Sequence, residues 1–466
     1  MKDSLEDRFQ GVVWVQHLFG LEPEWTMEPD LEKIEHTIQS LRPESTVSVS
    51  FLAQGGLNKI YVTKVDDQDF VMRVALPVDP YYKTMSEVST MAWISHITDI
   101  PIPRVLAYQT SRANSIGFEW ILMTKASGTP LADAWHSLSF PTKRTLVKQF
   151  AAYSAKLFQN KLQRIGNIYE KPCTADGSRL DEAIWPAEGS VCSNASALNE
   201  SKIPGPPDVG RIVSMDFFWG PSIHEDVHRG PFNSSKDWML SRLVLEERNY
   251  QSKLSSLPSS DLDRKQEARK EDATRTLDII GKLKNLLSLV FQPNEDHSED
   301  SPEPSIIVHD DLSNRNILVQ DNGELAAVLD WECVAALPLW AACNYPAFLE
   351  GPIRRTEPDR TTYYHEEDGE PCDLYLEHLE NYELTLLRGV FMNTMRALEP
   401  GWVDVFEKTQ RERDFDYAVR SCDNVFEARV IREWIEDVTS GNNPEGLCER
   451  IDKAQELLDN PRGLMS

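Results

Sequence analysis

Positive charge is in short supply against negative in this chain. Its 75 acidic side chains face 48 lysines and arginines, a formal net charge of −27. A surface of that sign offers no basic footprint for a phosphate backbone, so nucleic-acid binding is disfavoured. Cysteine is sparse as well. Cys173, Cys192, Cys333, Cys343, Cys372, Cys422 and Cys448 are scattered, and none forms Cys-x-x-Cys. The pattern argues against a disulfide framework or a zinc site and fits a reducing compartment. No apolar run approaches the length of a membrane span. The first forty residues hold nine acidic and three basic residues and no signal-peptide core. The expected compartment is therefore the cytoplasm, or the mitochondrion if an upstream segment precedes Met1. The sequence G-x-x-x-x-G-K-[ST] is also missing, which argues against a P-loop enzyme.

What is present is enough for a sizeable core: 466 residues, 41% hydrophobic and 9% aromatic. That length suits two lobes or domains. Residues 1–44 read as a helical extension, including the amphipathic stretch LEKIEHTIQSL. Residues 45–125 carry the strand-like runs TVSVSFLA, KIYVTKV and FVMRVA. Gly55-Gly56 and Asp66-Asp67 separate them, which predicts an antiparallel meander. A helix at 84–97 and the strands RVLAYQ and GFEWILMTKA follow. Residues 126–466 turn mostly helical. Helices are expected at 130–138 and 141–162, each opening on proline. Leu146, Phe150, Tyr153 and Leu157 share one face of the second. An insertion at about 170–300 begins irregularly and continues as charged helices near 235–256 and 260–291. An acidic, proline-bearing loop spans 293–304. The expected fold class is α+β.

The chemistry concentrates in VHDDLSNRNILV, residues 308–319. It holds H-x-D-x-x-x-x-N as His309, Asp311 and Asn316. Fourteen residues later a short apolar strand ends at Asp330, in AAVLDWE. The strands NILVQ and LAAVLD flank the turn signal Asp321-Asn322-Gly323, so a hairpin brings Asn316 and Asp330 to the same end. Phosphoryl transfer needs this set: a carboxylate to accept the proton of an attacking hydroxyl, and hard oxygens for magnesium. Asp311 suits the first role, Asn316 and Asp330 the second. An isolated H-x-D-x-x-x-x-N can be a mere polar turn. The second aspartate on a strand at this distance makes the joint pattern specific.

These residues resemble the catalytic loop of the aminoglycoside phosphotransferase and choline kinase family, a branch of the protein-kinase-like fold. The overall look, including RGPFNSSKDWML at 229–240, is similar to a fungal subgroup of altered-inheritance-of-mitochondria-type proteins. The resemblance implies two lobes: a small antiparallel-sheet lobe with one main helix, and a larger, mostly helical lobe. It implies ATP and Mg2+ as cofactors, with Asp311 as base, Asn316 and Asp330 as metal ligands, and His309 supporting the loop by hydrogen bonds. For the nucleotide, Gly55 and Gly56 would let backbone approach the phosphates. Arg73 stands where protein kinases place lysine, with Lys59 and Lys64 as alternatives. Glu87 would orient Arg73 from the helix. Backbone around Met123 and Lys125 would meet the adenine.

The implied acceptor is a small-molecule hydroxyl. The acidic composition, with runs such as Glu366-Glu367-Asp368, points to a cationic one. Two rivals stand beside this reading. Arg73 and the incomplete glycine loop suit a kinase-shaped binding or regulatory module without turnover. HEDVH, residues 224–228, fits the zinc-peptidase pattern H-E-x-x-H, but Pro221 and Gly230-Pro231 leave little room for the helix it needs. His365 and His378 show no evident partner.

Overall fold

In a computed structural model of the chain, residues 8–18, 20–169, 206–258, 260, 262–292, 301–364, 371–442 and 445–459 are described. Cys173, Cys192, His365, the run 366–368 and most of the acidic loop at 293–304 lie outside them.

The first 44 residues correct the sequence reading. Strands β1 (Val12–His17) and β2 (Gly20–Trp25) pair as an antiparallel hairpin where helix was expected. The cause is local: Val12, Val13, Trp14 and Val15 are β-branched or aromatic residues that fit a pleated surface. Helix α1 (Leu31–Leu41) does form on LEKIEHTIQSL. Its cap is the Asp30 side chain, which accepts the Glu32 amide at 2.9 Å.

Behind it stands a five-stranded antiparallel sheet. Its order is β3 (Val47–Gln54), β4 (Asn58–Val65), β5 (Gln68–Ala75), β7 (Glu119–Thr124), β6 (Val105–Gln109). Strand alternation gives the sheet two faces. Tyr61, Met72 and Leu122 stand abreast on the outer face, where fully buried Ile34 and Ile38 of α1 cover them. Truncating either isoleucine to alanine would cost about 2–5 kcal/mol. Ile60, Arg73 and Ile121 stand abreast on the opposite, inner face. Helix α2 (Tyr82–Ile97) lies under that face, with Val88, Met91 and Ile94 in one cluster with Ile121 and Met123.

That cluster runs on into the large lobe, through Leu131 of α3 (Leu131–Ala134) and Leu146, Phe150 and Tyr153 of α4 (Phe140–Gln159). The helix expected over 130–138 is only α3 and a 3-10 turn, Trp135–Ser137. Short strands β8 (Thr129–Pro130), β9 (Leu162–Gln163), β10 (Ile168–Tyr169) and β11 (Asp208–Val209) link the lobes to the insertion. The insertion supplies α5 (Met215–Phe218), α6 (Ser235–Ser255) and α7 (Arg264–Val290). Strand β12 (Pro304–Val308) leads into the motif, and β13 (Ile317–Val319) and β14 (Leu325–Val328) form its hairpin. Strand β15 (Ala335–Pro338) pairs back with β12. Helices α8 (Leu339–Ala342), α9 (Asp373–Leu398), α10 (Pro400–Lys408), α11 (Gln410–Arg420), α12 (Ala428–Thr439) and α13 (Leu447–Asp459) complete the lobe. The fold is the expected two-lobed, kinase-like α+β arrangement. No helix among the described residues is long and apolar enough to cross a membrane.

Candidate active site

The β13–β14 hairpin does bring Asn316 and Asp330 to one end. Ile317 pairs with Val328, and the Leu329 amide donates to the Asn316 carbonyl at 2.8 Å. Asp330 then turns the chain out of the strand with φ 61, a left-handed conformation that aspartate tolerates better than most residues. Asn316 Nδ2 donates to Asp311 twice, to Oδ2 at 2.9 Å and to the carbonyl at 2.8 Å. Its Oδ1 stays available as an acceptor. His309 joins the two loops: its Nε2–H donates to the Leu329 carbonyl at 2.9 Å, and its ring meets Trp331 edge-on.

Arg73 reaches this loop from the small lobe. Its Nη1 donates to Glu87 Oε1 at 2.7 Å. Its Nη2 lies 2.9 Å from Asp330 Oδ1 and 2.6 Å from Glu332 Oε2. The guanidinium is buried, so the fork spans both lobes away from water. Three further residues belong here that the sequence reading passed over. Lys83 Nζ lies 2.6 Å from Glu332 Oε2 and donates to Asn58 Oδ1 at 3.0 Å. Asn58 Nδ2 donates to Glu332 Oε2 at 2.9 Å. A signal for them was available: Glu332 is the last letter of DWE, and Lys83 precedes Glu87 by one helical turn. Burial raises both glutamate pKa values. At Glu332, however, the Arg73 and Lys83 charges outweigh burial and hold the carboxyl well below its ordinary range. At Glu87, with one close donor, burial wins and the pKa is raised.

The remaining expectations divide. Gly55 and Gly56 lie at the β3–β4 turn, closed by the Gly55 amide on the Asn58 carbonyl at 2.9 Å. An added Cβ at either would meet nothing within 4 Å, so the space over the turn is open. Met123 lies within the ladder between β5 and β6, and Lys125 is the first residue past it. The Lys125 side chain turns to Asp69 at 2.9 Å. Lys59 is no substitute for Arg73, because it lies on the outer face, paired with Glu28 and over the Trp25 ring. Lys64 is exposed. The HEDVH residues do not converge: His224 packs on Phe9 and His228 on Phe232. Among the described residues no group of three or more His, Cys, Asp and Glu could hold a metal alone. His378 has a partner after all, the Tyr363 hydroxyl at 2.7 Å.

Magnesium commonly binds through one or two side-chain oxygens, with phosphates and water completing six positions. Asn316 Oδ1 and the Asp330 carboxylate fit that requirement. Beyond the motif opens a cavity of about 590 Å³, bordered by His309, Asp310, Trp331, Tyr345, Glu350 and Asp416, among others. Asp311 instead borders a second space of about 550 Å³ with Asn316 and Glu380. Glu350 borders both. Water reaches Asp310 and Glu350, yet the cavity walls ring them. Burial pushes both carboxyls up, against the pull of Arg420 on each.

The sequence model of the phosphotransferase enzyme family matches residues 48–341, more than half the chain. A subtelomeric hrmA-associated cluster protein of Aspergillus fumigatus is 26% identical over 329 residues, covering 64% of this chain and 60% of that protein. Altered inheritance of mitochondria protein 9 of Meyerozyma guilliermondii is 24% identical over 317 residues, covering 65% and 50%. The chain thus matches about half to three-fifths of each relative's length. Among solved structures, a thermostable mutant of aminoglycoside phosphotransferase APH(4)-Ia covers 83% of this chain and 98% of its own. The TM-score is 0.36 and the identity 16%. A putative aminoglycoside phosphotransferase from Ralstonia eutropha gives TM-score 0.40 and 12% identity, covering 92% and 95%. Likeness at that level carries no argument about the site.

Proposed function

Because the chain belongs to the phosphotransferase enzyme family, we propose that it moves the γ-phosphate of ATP to a hydroxyl of a small, cationic molecule. The observation that carries this is the junction at Arg73. One fork holds the small-lobe helix through Glu87 and the large-lobe loop through Asp330, beside the Asp311–Asn316 pair. Phosphoryl transfer is mostly positioning and charge neutralisation, and this junction is built for both.

On this reading Asp311 accepts the proton of the acceptor hydroxyl. Asn316 Nδ2 keeps that carboxylate aimed, and Asn316 Oδ1 and Asp330 would hold Mg2+. The metal, bound with ATP, supplies charge neutralisation at the phosphates. Glu87 orients Arg73 toward the phosphates, and the open space over Gly55 and Gly56 admits them. Main chain around Met123 and Lys125 meets the base. His309 holds the motif loop to the strand end before Asp330. The nucleotide thus belongs to the lobe formed by 45–125 and the acceptor to 126–466. The acceptor hydroxyl meets Asp311 in the second space; Glu350 borders that space and also the larger cavity that Asp310 faces, and these carboxylates favour a cation. A reducing compartment, cytoplasm or mitochondrion, suits the free thiols of Cys333, Cys343, Cys372, Cys422 and Cys448.

The test is melting with and without MgATP, followed by ADP release across an acceptor panel. ATP at a hundred times its dissociation constant adds about 2.7 kcal/mol of stability. No thermal shift with any nucleotide and magnesium would sink the proposal. The rival, a regulatory module, draws on the engagement of both Arg73 Nη atoms by three carboxylates. Tight ATP binding with no ADP release for any acceptor favours that rival.

A further inference from the structure

Lys83 is an expensive residue for this chain to keep. It lies in the first turn of α2, where the helix dipole disfavours a cation, and it is almost fully buried. A buried ammonium persists only when paired and hydrogen-bonded. Both needs are met by a closed triangle of Lys83, Asn58 and Glu332, with sides of 2.6, 2.9 and 3.0 Å. The corners come from three places. Asn58 closes the glycine turn, Lys83 begins the helix that carries Glu87, and Glu332 lies two residues past Asp330.

We infer that Lys83, Asn58 and Glu332 are positioning residues that latch the glycine turn to the metal-facing loop and so set nucleotide affinity. Resting on the phosphotransferase reading, this adds what that reading lacks, a mechanical link between the two phosphate-facing elements. Charge and geometry explain the need. Arg73 Nη2 is shared between Asp330 and Glu332. With Asp330 engaged by a cation, Glu332 would keep the fork occupied and aimed. Lys83 and Asn58 hold Glu332 from the small-lobe side, so the turn follows the loop.

The experiment is a double-mutant cycle on the full chain with Lys83→Met, Glu332→Gln and both together. Asn58→Ala is the mild third variant, for the case in which a charge deletion does not fold. Two quantities are read: melting in EDTA without nucleotide, and MgATP affinity at a temperature where each variant is folded. Each single charge deletion should weaken MgATP binding by roughly tenfold, the scale of one lost charge-assisted hydrogen bond. The acceptor KM should stay put. The double variant should be no worse than either single, because the pair acts as one unit. Asn58→Ala should weaken MgATP binding by a few-fold in the same direction. Singles that melt lower yet bind MgATP like the wild type overturn the inference, as does additive loss in the double. A wild type that binds no nucleotide overturns the phosphotransferase reading and the latch's function with it. The metal-free cycle separates that case, since it still reports whether the triangle couples.

Discussion

Arg73 and Arg242 are both buried, and both hold carboxylates from distant parts of the chain, yet their surroundings differ in one countable way. Arg242, on α6, lies 2.8 Å from Asp216 and also pairs with Asp416, whose other oxygen takes Arg420 at 2.9 Å. Counting direct ion pairs, two cations there face two carboxylates, with Glu246 acting on Arg242 without pairing to it. Around Arg73, two cations, Arg73 and Lys83, face three carboxylates, Glu87, Asp330 and Glu332. The surplus negative charge has an outlet at Asp330, the most exposed of the three at 35%. A balanced knot is finished and stitches α5, α6 and α11 together. An unbalanced knot with one wet carboxylate suits a site that receives a cation. Buried arginines alone do not mark function; the balance of direct ion pairs around them is the better guide.

The comparison is tested hardest beside the unbalanced knot. Asp311→Asn should lower turnover by roughly 10²–10⁴-fold, the range for loss of a general base, with MgATP binding and melting nearly unchanged. Loss of ATP binding instead would mean that Asp311 belongs to the nucleotide site. The balanced knot should answer the other way. Arg242→Met leaves half-buried Asp416 with only Arg420, so the protein should lose up to about 3–5 kcal/mol of stability in urea melts. Its MgATP affinity should not move. Arg73→Met should raise the ATP KM or abolish turnover, while Arg73→Lys retains part of the activity, since lysine keeps the charge but not the fork. If Arg242→Met damages nucleotide binding as much as Arg73→Met does, charge balance does not separate the two knots.

Much of this was legible in the sequence, and the division has a physical basis. Asn316 and Asp330 could be placed together because a short hairpin with its own turn residues connects them. Arg73 and Glu87 could be paired because one strand and one helix follow in order. Helices α4 and α6 emerge from their own caps, Ser139 and Ser234. What could not be read was any contact fixed only by the packing of lobes. Asn58 meets Glu332 across 274 residues, and no local pattern announces that. The Val12–His17 strand was hidden for a different reason. Its pairing partner, Gly20–Trp25, holds proline and glutamates and looks nothing like a strand. Asp310 and Asp311 show the finest limit. Alternation indicates that they point apart, but only the fold shows that the larger cavity takes Asp310.

A third buried charge offers an intermediate effect. Glu119, at the start of β7, accepts the Tyr81 amide, and burial pushes its pKa from the ordinary 4.5 to about 7. The folded chain therefore holds a proton that the unfolded chain has already lost between those two values. The stability from this group is fully present below pH 4.5 and is lost as pH rises through 7. The loss is roughly 3 kcal/mol at most, from 1.36 kcal/mol per unit. Glu119→Gln should flatten that fall in urea melts between pH 5 and 8. An unchanged slope would mean that Arg112 and Lys83 neutralise Glu119 as thoroughly as the knots neutralise their own carboxylates.

The smallest effect should come from the acceptor side. Asp310 and Glu350 face the larger cavity, and no side chain among the described residues is seen to hydrogen-bond either carboxylate. Arg420 is near both, but it is largely exposed and already tied to Asp416. A cationic acceptor would therefore find two unclaimed carboxylates, in solvent-accessible space where one contact counts for little. Asp310→Asn should raise the KM of such an acceptor by only a few-fold, about 1 kcal/mol, and leave the ATP KM alone. Rising salt should weaken the wild type toward the variant, because screening acts on the charge that the substitution removes. An acceptor that proves neutral or anionic, with no response to salt or to Asp310→Asn, would remove the electrostatic argument for the cavity. It would leave the Arg73 junction and its surplus charge untouched, since on the proposed reading those face the nucleotide and not the acceptor.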